Sequence, residues 1–263
     1  MILAGFDQRD FAMLKSLFRM NLGDRFLGSK LGLVWAVLSP LMLMGTFCFV
    51  FTVVFPGRLP GKEGPIPFLI WLISGYGPWL AVNEGLMSAT NSVVSNSGVV
   101  KNVAFKSEIL PIVGAMMGIV PLLVAIVVVL GLQVVGGELP KWTLILLPFA
   151  MIVQLVFLSG IGLFLAALNV FVRDTALILP NLLQIILFAS PIFYLLTSYP
   201  AFVRPLLVCN PFYALAELYR GIIVDGKLPE FWMIAYLAVV SIALFVGGLW
   251  WFRRLKLFFD SRL

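Results

Sequence analysis

Histidine is absent from this 263-residue chain, cysteine occurs twice, and charged residues make up only 11% of it. Each shortage removes a class of chemistry. Without imidazole there is no histidine acid–base pair, no histidine metal ligand and no side chain that titrates near neutrality by default. Cys48 and Cys209 stand far apart without paired spacing, so they read as small buried hydrophobes and not as a redox or zinc motif. A phosphate loop is also missing. Gly23 to Lys30 has the Gly-x4-Gly frame but ends Gly28-Ser29-Lys30 where Gly-Lys-Ser/Thr is required, and no other position matches. Acidic residues are too scattered for a glycosyltransferase or lipid phosphatase centre, with Glu108 and Asp174 reading as isolated charges at the ends of apolar runs. The apolar runs offer no midplane ionisable group of the kind a proton-coupled carrier uses.

Apolar sequence is what the chain has in abundance. It is 62% hydrophobic, with mean hydropathy +1.08, which excludes a water-soluble globular domain. A membrane span needs ~20 apolar residues to cross ~30 Å of hydrocarbon. That rule gives six spans, over 31–55, 67–90, 109–135, 142–172, 176–196 and 231–252. None reads as a cleavable signal peptide, because the first follows 30 residues carrying eight charges. Six spans place both termini on one side. The segments on that side hold Arg9, Lys15, Arg19, Arg25, Lys30, Lys101, Lys106, Arg173, Arg253, Arg254, Lys256 and Arg262; the other side holds Arg58, Lys62, Lys141, Arg204, Arg220 and Lys227. Twelve against six puts both termini in the cytoplasm. The net charge of +6 arises from this asymmetry and requires no nucleic acid.

Residues 1–30 read as a cytoplasmic amphipathic helix, with Phe11, Leu14, Phe18 and Leu22 on one stripe. In the first span Trp35, Ser39, Met42, Thr46 and Phe49 recur every three or four residues, a pattern that fits either helix packing or a pore wall. Glu84 falls near the cytoplasmic end of the second span, where a carboxylate costs less than at midplane. The polar stretch after it shows Val100, Val103 and Phe105 among Lys101 and Lys106, which suits either a plain loop or docking to a soluble partner. Gly114 and Gly118 form a GxxxG packing motif, and Pro121 should kink the third span. The fifth span carries Asn181 and Gln184 in line with Phe188, Ile192 and Leu195, and Ser190-Pro191 breaks it. Phe188, Phe193 and Tyr194 suit a glycan path or ordinary lipid-facing packing. Asn210-Pro211 reads as a helix start, with Phe212, Leu215 and Tyr219 on one face and Glu217 and Arg220 pointing elsewhere. That helix should lie on the outer surface against the membrane or a twin subunit.

Several stretches, taken in order, resemble the membrane subunit of type-2 ABC exporters of the polysaccharide, O-antigen and teichoic-acid branch. They are Arg25-Phe-x-x-Ser29-x-Leu-Gly32-x-x-Trp35-x4-Pro40, Ser74-Gly75-x-x-Pro78-Trp79-x4-Glu84, Val100-Lys101-x-Val103-x-Phe105-Lys106-x-Glu108-Ile-Leu-Pro111, Leu168-Asn-Val-x-x-Arg173-Asp174, Ser190-Pro191-Ile-x-Tyr194 and Asn210-Pro211. Position 106 departs from the pattern, since many members have proline there. The resemblance implies an all-α membrane protein of six transmembrane helices, 31–252, with a tail at 253–263. It implies a homodimer in the bacterial cytoplasmic membrane, bound to two copies of a separate ATPase that carries the ATP and Mg. The cargo would be a polysaccharide on undecaprenyl diphosphate. A channel would be lined by Trp35, Ser39, Met42, Thr46, Phe49, Asn181, Gln184, Phe188, Pro191, Phe193 and Tyr194. Arg25 and Lys30, with Arg19 beside them, would meet the lipid diphosphate. The segment 95–107 would be the coupling helix, with Lys101, Val103, Phe105, Lys106 and Glu108 docking the ATPase. The external segment 197–230 would guard the exit through Asn210, Pro211, Phe212, Tyr213, Leu215 and Tyr219. A permease for a small lipid or drug is the alternative, but such chains usually carry a large external domain or a fused ATPase.

The charge asymmetry yields a direct test of orientation. Single cysteines at Lys62, Lys141 and Lys227 should react with an impermeant thiol reagent in intact cells, and those at Lys101 and Arg254 should not. The opposite pattern would invert the topology.

Overall fold

The computed structural model describes residues 7–25, 28–54, 59–60, 64–102 and 105–262. These form α1 (Gln8–Asp24), α2 (Val34–Phe49, prolonged by a π-helical turn, Val50–Val54), α3 (Pro65–Ser95), α4 (Ser97–Asn102), α5 (Ile109–Met116) and α6 (Ile119–Val135). They continue as α7 (Leu147–Phe171), α8 (Asp174–Ala189), α9 (Arg204–Val208), α10 (Pro211–Arg220) and α11 (Phe231–Leu255), with no strand among the described residues. Five helical runs are long and apolar enough to cross a membrane: Val34–Val54, Pro65–Ser95, Ile109–Val135, Trp142–Phe171 and Phe231–Phe259.

The bundle is built around α3, which touches α2, α5, α6, α7, α8 and α10. Its residues from Ile70 to Val82 are buried without a break. Glycine permits the closest approaches. A Cβ at Gly114 would lie 2.4 Å from the Cα of Ala89 and one at Gly118 would lie 2.3 Å from the Ala81 oxygen, so the GxxxG motif is the seam with α3. A second seam joins α7 to α11, where Cβ atoms at Gly160 and Gly248 would meet backbone at 2.5 and 2.3 Å. The third span is interrupted at Met117–Gly118. Pro121 lacks the N–H that would bond the Met117 carbonyl and its ring crowds that group, so the break falls one turn before the proline.

Three expectations change. The fifth apolar run does not continue to residue 196 as one helix. It stops at Ala189 after 16 residues, a rise of only ~24 Å. Ser190 is extended (φ −94°, ψ 146°), as the residue before a proline is steered to be. The second change concerns α10, which does not lie on the outer surface. Asn210 caps it through its side chain, accepting from the Phe212 amide at 2.9 Å, and Pro211 occupies the first turn, as the sequence suggests. But Phe212 packs edge-on against Trp79 and Phe157 at 5.5 and 5.4 Å. Trp79 is 14 residues into α3, or ~21 Å from its start. α10 therefore begins deep in the bundle and climbs back toward the start of α3. Tyr213, Leu215 and Tyr219 are core residues. Cys209 is exposed and Cys48 half-buried, so neither is the fully buried hydrophobe expected.

Arg220 is what holds α10 in. It is among the largest fully buried side chains, 2% exposed. Its guanidinium stacks 3.8 Å above the Trp71 ring and donates to Glu217 at 2.8 Å, Ile192 O at 2.5 Å and Pro191 O at 3.3 Å. Gly75 makes the space, because a Cβ there would lie 2.4 Å from Nη2. Asn210 Nδ2 donates to Ser190 Oγ at 2.8 Å, tying the start of α10 to the end of α8. Beyond Arg220 the chain is fixed by Gln133 and Thr143, which donate to the carbonyls of Ile223 and Ile222 at 2.7 and 2.6 Å.

Arg220→Ala should cost ~3–5 kcal/mol, because it strands buried carbonyls and leaves a void. The loss should appear as a lower melting temperature and a lower yield of folded protein in membranes. Arg220→Lys, with charge but no planar fork, should fall between the two. An unchanged melting temperature in Arg220→Ala would sink this account of α10.

Candidate functional site

The end of the bundle that carries α1 also carries most of the basic residues, and it contains a cavity of about 230 Å³. α1 supplies Leu22 to this cavity and the turn after it supplies Arg25; α2 supplies Trp35, Ala36, Ser39 and Pro40, and α3 supplies Glu84. Met117, Val120 and Pro121, at the break between α5 and α6, complete an apolar side. Arg25 forms a two-pronged ion pair with Glu84, with Nη1 donating to Oε1 and Nη2 to Oε2, the second at 2.8 Å. That hydrogen bonding holds the Arg25 guanidinium charged above its ordinary range, against the opposing effect of burial. Both groups retain contact with solvent, with side chains 45% and 23% exposed. Lys30 and Arg19, also expected at the headgroup, are exposed and do not line the cavity.

From this cavity an exposed line runs along α2. Trp35, Ser39, Met42, Thr46 and Phe49 all face outward, while Pro40 and Met44 take the buried side. α8 shows the same division, with Asn181, Gln184 and Phe188 exposed and Leu179, Leu183 and Leu187 buried. The expected lining is corrected at two positions. Pro191 and Phe193 are buried, because the turn after Ala189 directs the chain inward toward α3. Phe193 stacks on Phe47 at 4.5 Å and meets Tyr76 at 5.2 Å and Phe188 at 5.9 Å, joining α2 to the end of α8. Tyr194 stays 46% exposed.

The stretch expected to dock an ATPase divides in the same way. Lys101 is exposed on α4, Phe105 is half-buried, and Val103 lies outside the described residues. Lys106 donates to Asp10 Oδ2 at 2.6 Å, fastening the stretch to α1. This bond is the main reason the Asp10 carboxyl sits below its usual range. Glu108 is a correction. It is 2% exposed and accepts from Arg253 at 3.0 Å and Lys256 at 2.9 Å, so it faces the end of α11 and no outside partner. Burial pushes its pKa up, but Lys256 and Arg253 outweigh that and hold it below the ordinary value. Its ion pairs are therefore intact at neutral pH and are lost only as pH falls through that lowered value.

Asn210, Pro211, Phe212, Tyr213, Leu215 and Tyr219, expected at an external gate, form the buried re-entrant helix described above. Sequence reasoning missed the two pairings that organise the site, Arg25–Glu84 and Arg220 with the α8 break. A signal for the second was present, since Glu217 and Arg220 stand three apart in an otherwise uncharged stretch, the spacing of a helical ion pair.

A profile of the ABC-2 type transporter family matches residues 13–224. The chain is 29% identical to the O-antigen export system permease protein RfbA of Myxococcus xanthus over 234 residues, 88% of each chain. It is 25% identical to the protein of the same name from Klebsiella pneumoniae over 94% of this chain and 93% of that one. It is also 27% identical to the polysialic acid transport protein KpsM of Escherichia coli over 94% of this chain and 95% of that one.

The reassignment of Glu108 is testable. Glu108→Ala leaves Arg253 and Lys256 without their carboxylate and should lower stability by ~2 kcal/mol or more, visible as a drop of several degrees in melting temperature. Lys101→Ala, on the exposed face of α4, should leave melting unchanged. Equal melting temperatures for the two variants would return Glu108 to the surface.

Proposed function

This chain belongs to the ABC-2 type transporter family, and we propose that it is the channel-forming permease subunit of an ATP-driven polysaccharide exporter. The cargo is a polysaccharide such as O-antigen on undecaprenyl diphosphate, moved across the bacterial cytoplasmic membrane. The chain is a multi-pass membrane subunit and not an enzyme. ATP and Mg act on two copies of a separate ATPase, and the permease works as a homodimer with both termini cytoplasmic and the α1 end inside. The observation that carries this reading is the cavity at the junction of α1, α2 and α3. It combines a cation (Arg25), an aromatic ring (Trp35), a hydroxyl (Ser39) and an apolar rim at one end of an exposed helix face. A guanidinium fork matches two phosphate oxygens at once. The apolar rim of Leu22, Met117, Val120 and Pro121 suits the first isoprenoid units, which stay in the lipid.

The glycan then follows the exposed faces of α2 and α8. Ser39, Thr46, Asn181 and Gln184 exchange hydrogen bonds with sugar hydroxyls, and Phe188 and Tyr194 offer flat rings to the apolar faces of the sugars. Two copies of these faces enclose the path. On the cytoplasmic side α4 and Phe105 receive the ATPase stroke, and the Lys106–Asp10 bond passes it to α1, whose other end leads to Arg25. The similarity to a polysialic acid transport protein favours a capsular polymer as the second reading; a teichoic-acid polymer would use the same site.

Deleting the gene should remove a polysaccharide from the cell surface and leave its lipid-linked form inside. Wild-type protein should restore export. Arg25→Glu, which sets two carboxylates against each other and against the diphosphate, should assemble yet fail to restore it. Lys101→Ala with Phe105→Ala should bind the ATPase subunit less tightly or uncouple ATP turnover from export. A deletion strain with a complete surface glycan profile would refute the exporter reading, and normal coupled turnover in the double variant would refute the docking assignment.

A further inference from the structure

Among the described residues, the one cation lining the cavity faces a carboxylate that the proposed transport does not use. Glu84 sits 19 residues into α3, and its two oxygens take the same prongs of Arg25 that a phosphate would take. Around the pair the wall is mostly apolar, with Ser39 as a further polar side chain lining it. At about 230 Å³ the space exceeds what a few waters need, so a headgroup can enter beside the pair without displacing the helices. The pair is only partly buried, 45% and 23% exposed. Such pairs are worth little in water-facing settings and are readily exchanged.

From these facts we infer that Glu84 is a resident competitor for the headgroup phosphate, holding Arg25 while the cavity is empty and yielding it when a phosphate enters. This rests on the headgroup reading of the cavity given above. Two consequences follow from the physical chemistry. Every phosphate must first break the Arg25–Glu84 pair, so affinity is set lower than the bare cation would give and the headgroup can leave again. Once displaced, Glu84 also repels the bound anion, which favours onward movement.

The test is a binding cycle on the purified full-length permease, using farnesyl diphosphate and farnesyl monophosphate as probes, with inorganic pyrophosphate to ask whether the isoprenoid tail is needed. Arg25→Gln should weaken both farnesyl probes. Glu84→Gln should tighten both by about three- to tenfold, the range expected for removing a partly exposed charge partner and its repulsion. In the Arg25→Gln background, Glu84→Gln should give a much smaller gain, because the competitor then has nothing to hold. Pyrophosphate should bind more weakly than farnesyl diphosphate, since it leaves the apolar rim unfilled; equal binding would assign the cavity to free phosphates. Unchanged or weaker binding in Glu84→Gln, or the same gain with and without Arg25, overturns the competitor role while leaving the headgroup reading standing. If Arg25→Gln binds all probes as wild type does, the headgroup reading itself falls. Should Glu84→Gln not assemble, Glu84→Asp, which keeps the charge but shortens the reach, should tighten binding by a smaller factor, and its failure to do so overturns the inference equally.

Discussion

Where α8 ends, the carbonyls of Pro191 and Ile192 lie inside the bundle without a helix to pair them, and Arg220 supplies their donors. In hydrocarbon an unbonded backbone carbonyl costs several kcal/mol, so a broken helix is tolerated only where protein satisfies it. The cation is tolerated in turn because its charge is met by Glu217, its face by the Trp71 ring and further donors by those carbonyls and that of Trp71. Neither the break nor the buried arginine is stable alone. Together they let a short helix enter the bundle and return, which shortens the fifth apolar run and gives α3 a further neighbour. Gly75 is part of this arrangement, because any side chain there would occupy the guanidinium's place.

A second arrangement at the opposite end depends on charge. α1 has no buried residue, so packing alone holds it weakly. One end is fastened by Asp10 to Lys106, and the turn after the other end by Arg25 to Glu84. A 17-residue helix is ~25 Å of stiff rod, and its two attachments are the stretch before α5 and the cavity. Glu108, held by Arg253 and Lys256, anchors the start of α5 to the end of α11 and gives that rod a firm base. In the proposed exporter, movement of the α4 region would reach Arg25 through the Lys106–Asp10 pair and α1.

The outward faces of α2 and α8 stand apart from the rest. Both helices bury one narrow side against the bundle and leave polar and aromatic residues, among many aliphatic ones, on the other. Phe193 and its neighbours bring the outer part of α2 to the end of α8, so the two faces meet at that end of the exposed surface. That surface is where a second copy and a sugar chain would meet in the proposed exporter.

By itself the sequence determined the class of molecule, an all-helical membrane chain, because long apolar runs admit no other backbone in lipid. It also determined the start of α10 at Asn210-Pro211, a close-packing site at Gly114 and Gly118, and the break at Ser190-Pro191, since each depends on residues near one another in the chain. What it could not determine was direction. An amphipathic ten-residue helix fits the membrane surface and the protein interior equally well by pattern. Only the contacts of Phe212 with Trp79 and of Arg220 with the α8 break place it inside. The charges behaved likewise. Glu108 and Lys106 look like exposed docking residues in a polar stretch, but their partners Arg253, Lys256 and Asp10 are about 100 or more residues away in sequence. Arg25 and Glu84 are 59 residues apart, and the folding of α1 onto the end of α3 is what brings them together. Local propensity is written in neighbouring residues, whereas the pairing of distant charges is decided by how the helices pack.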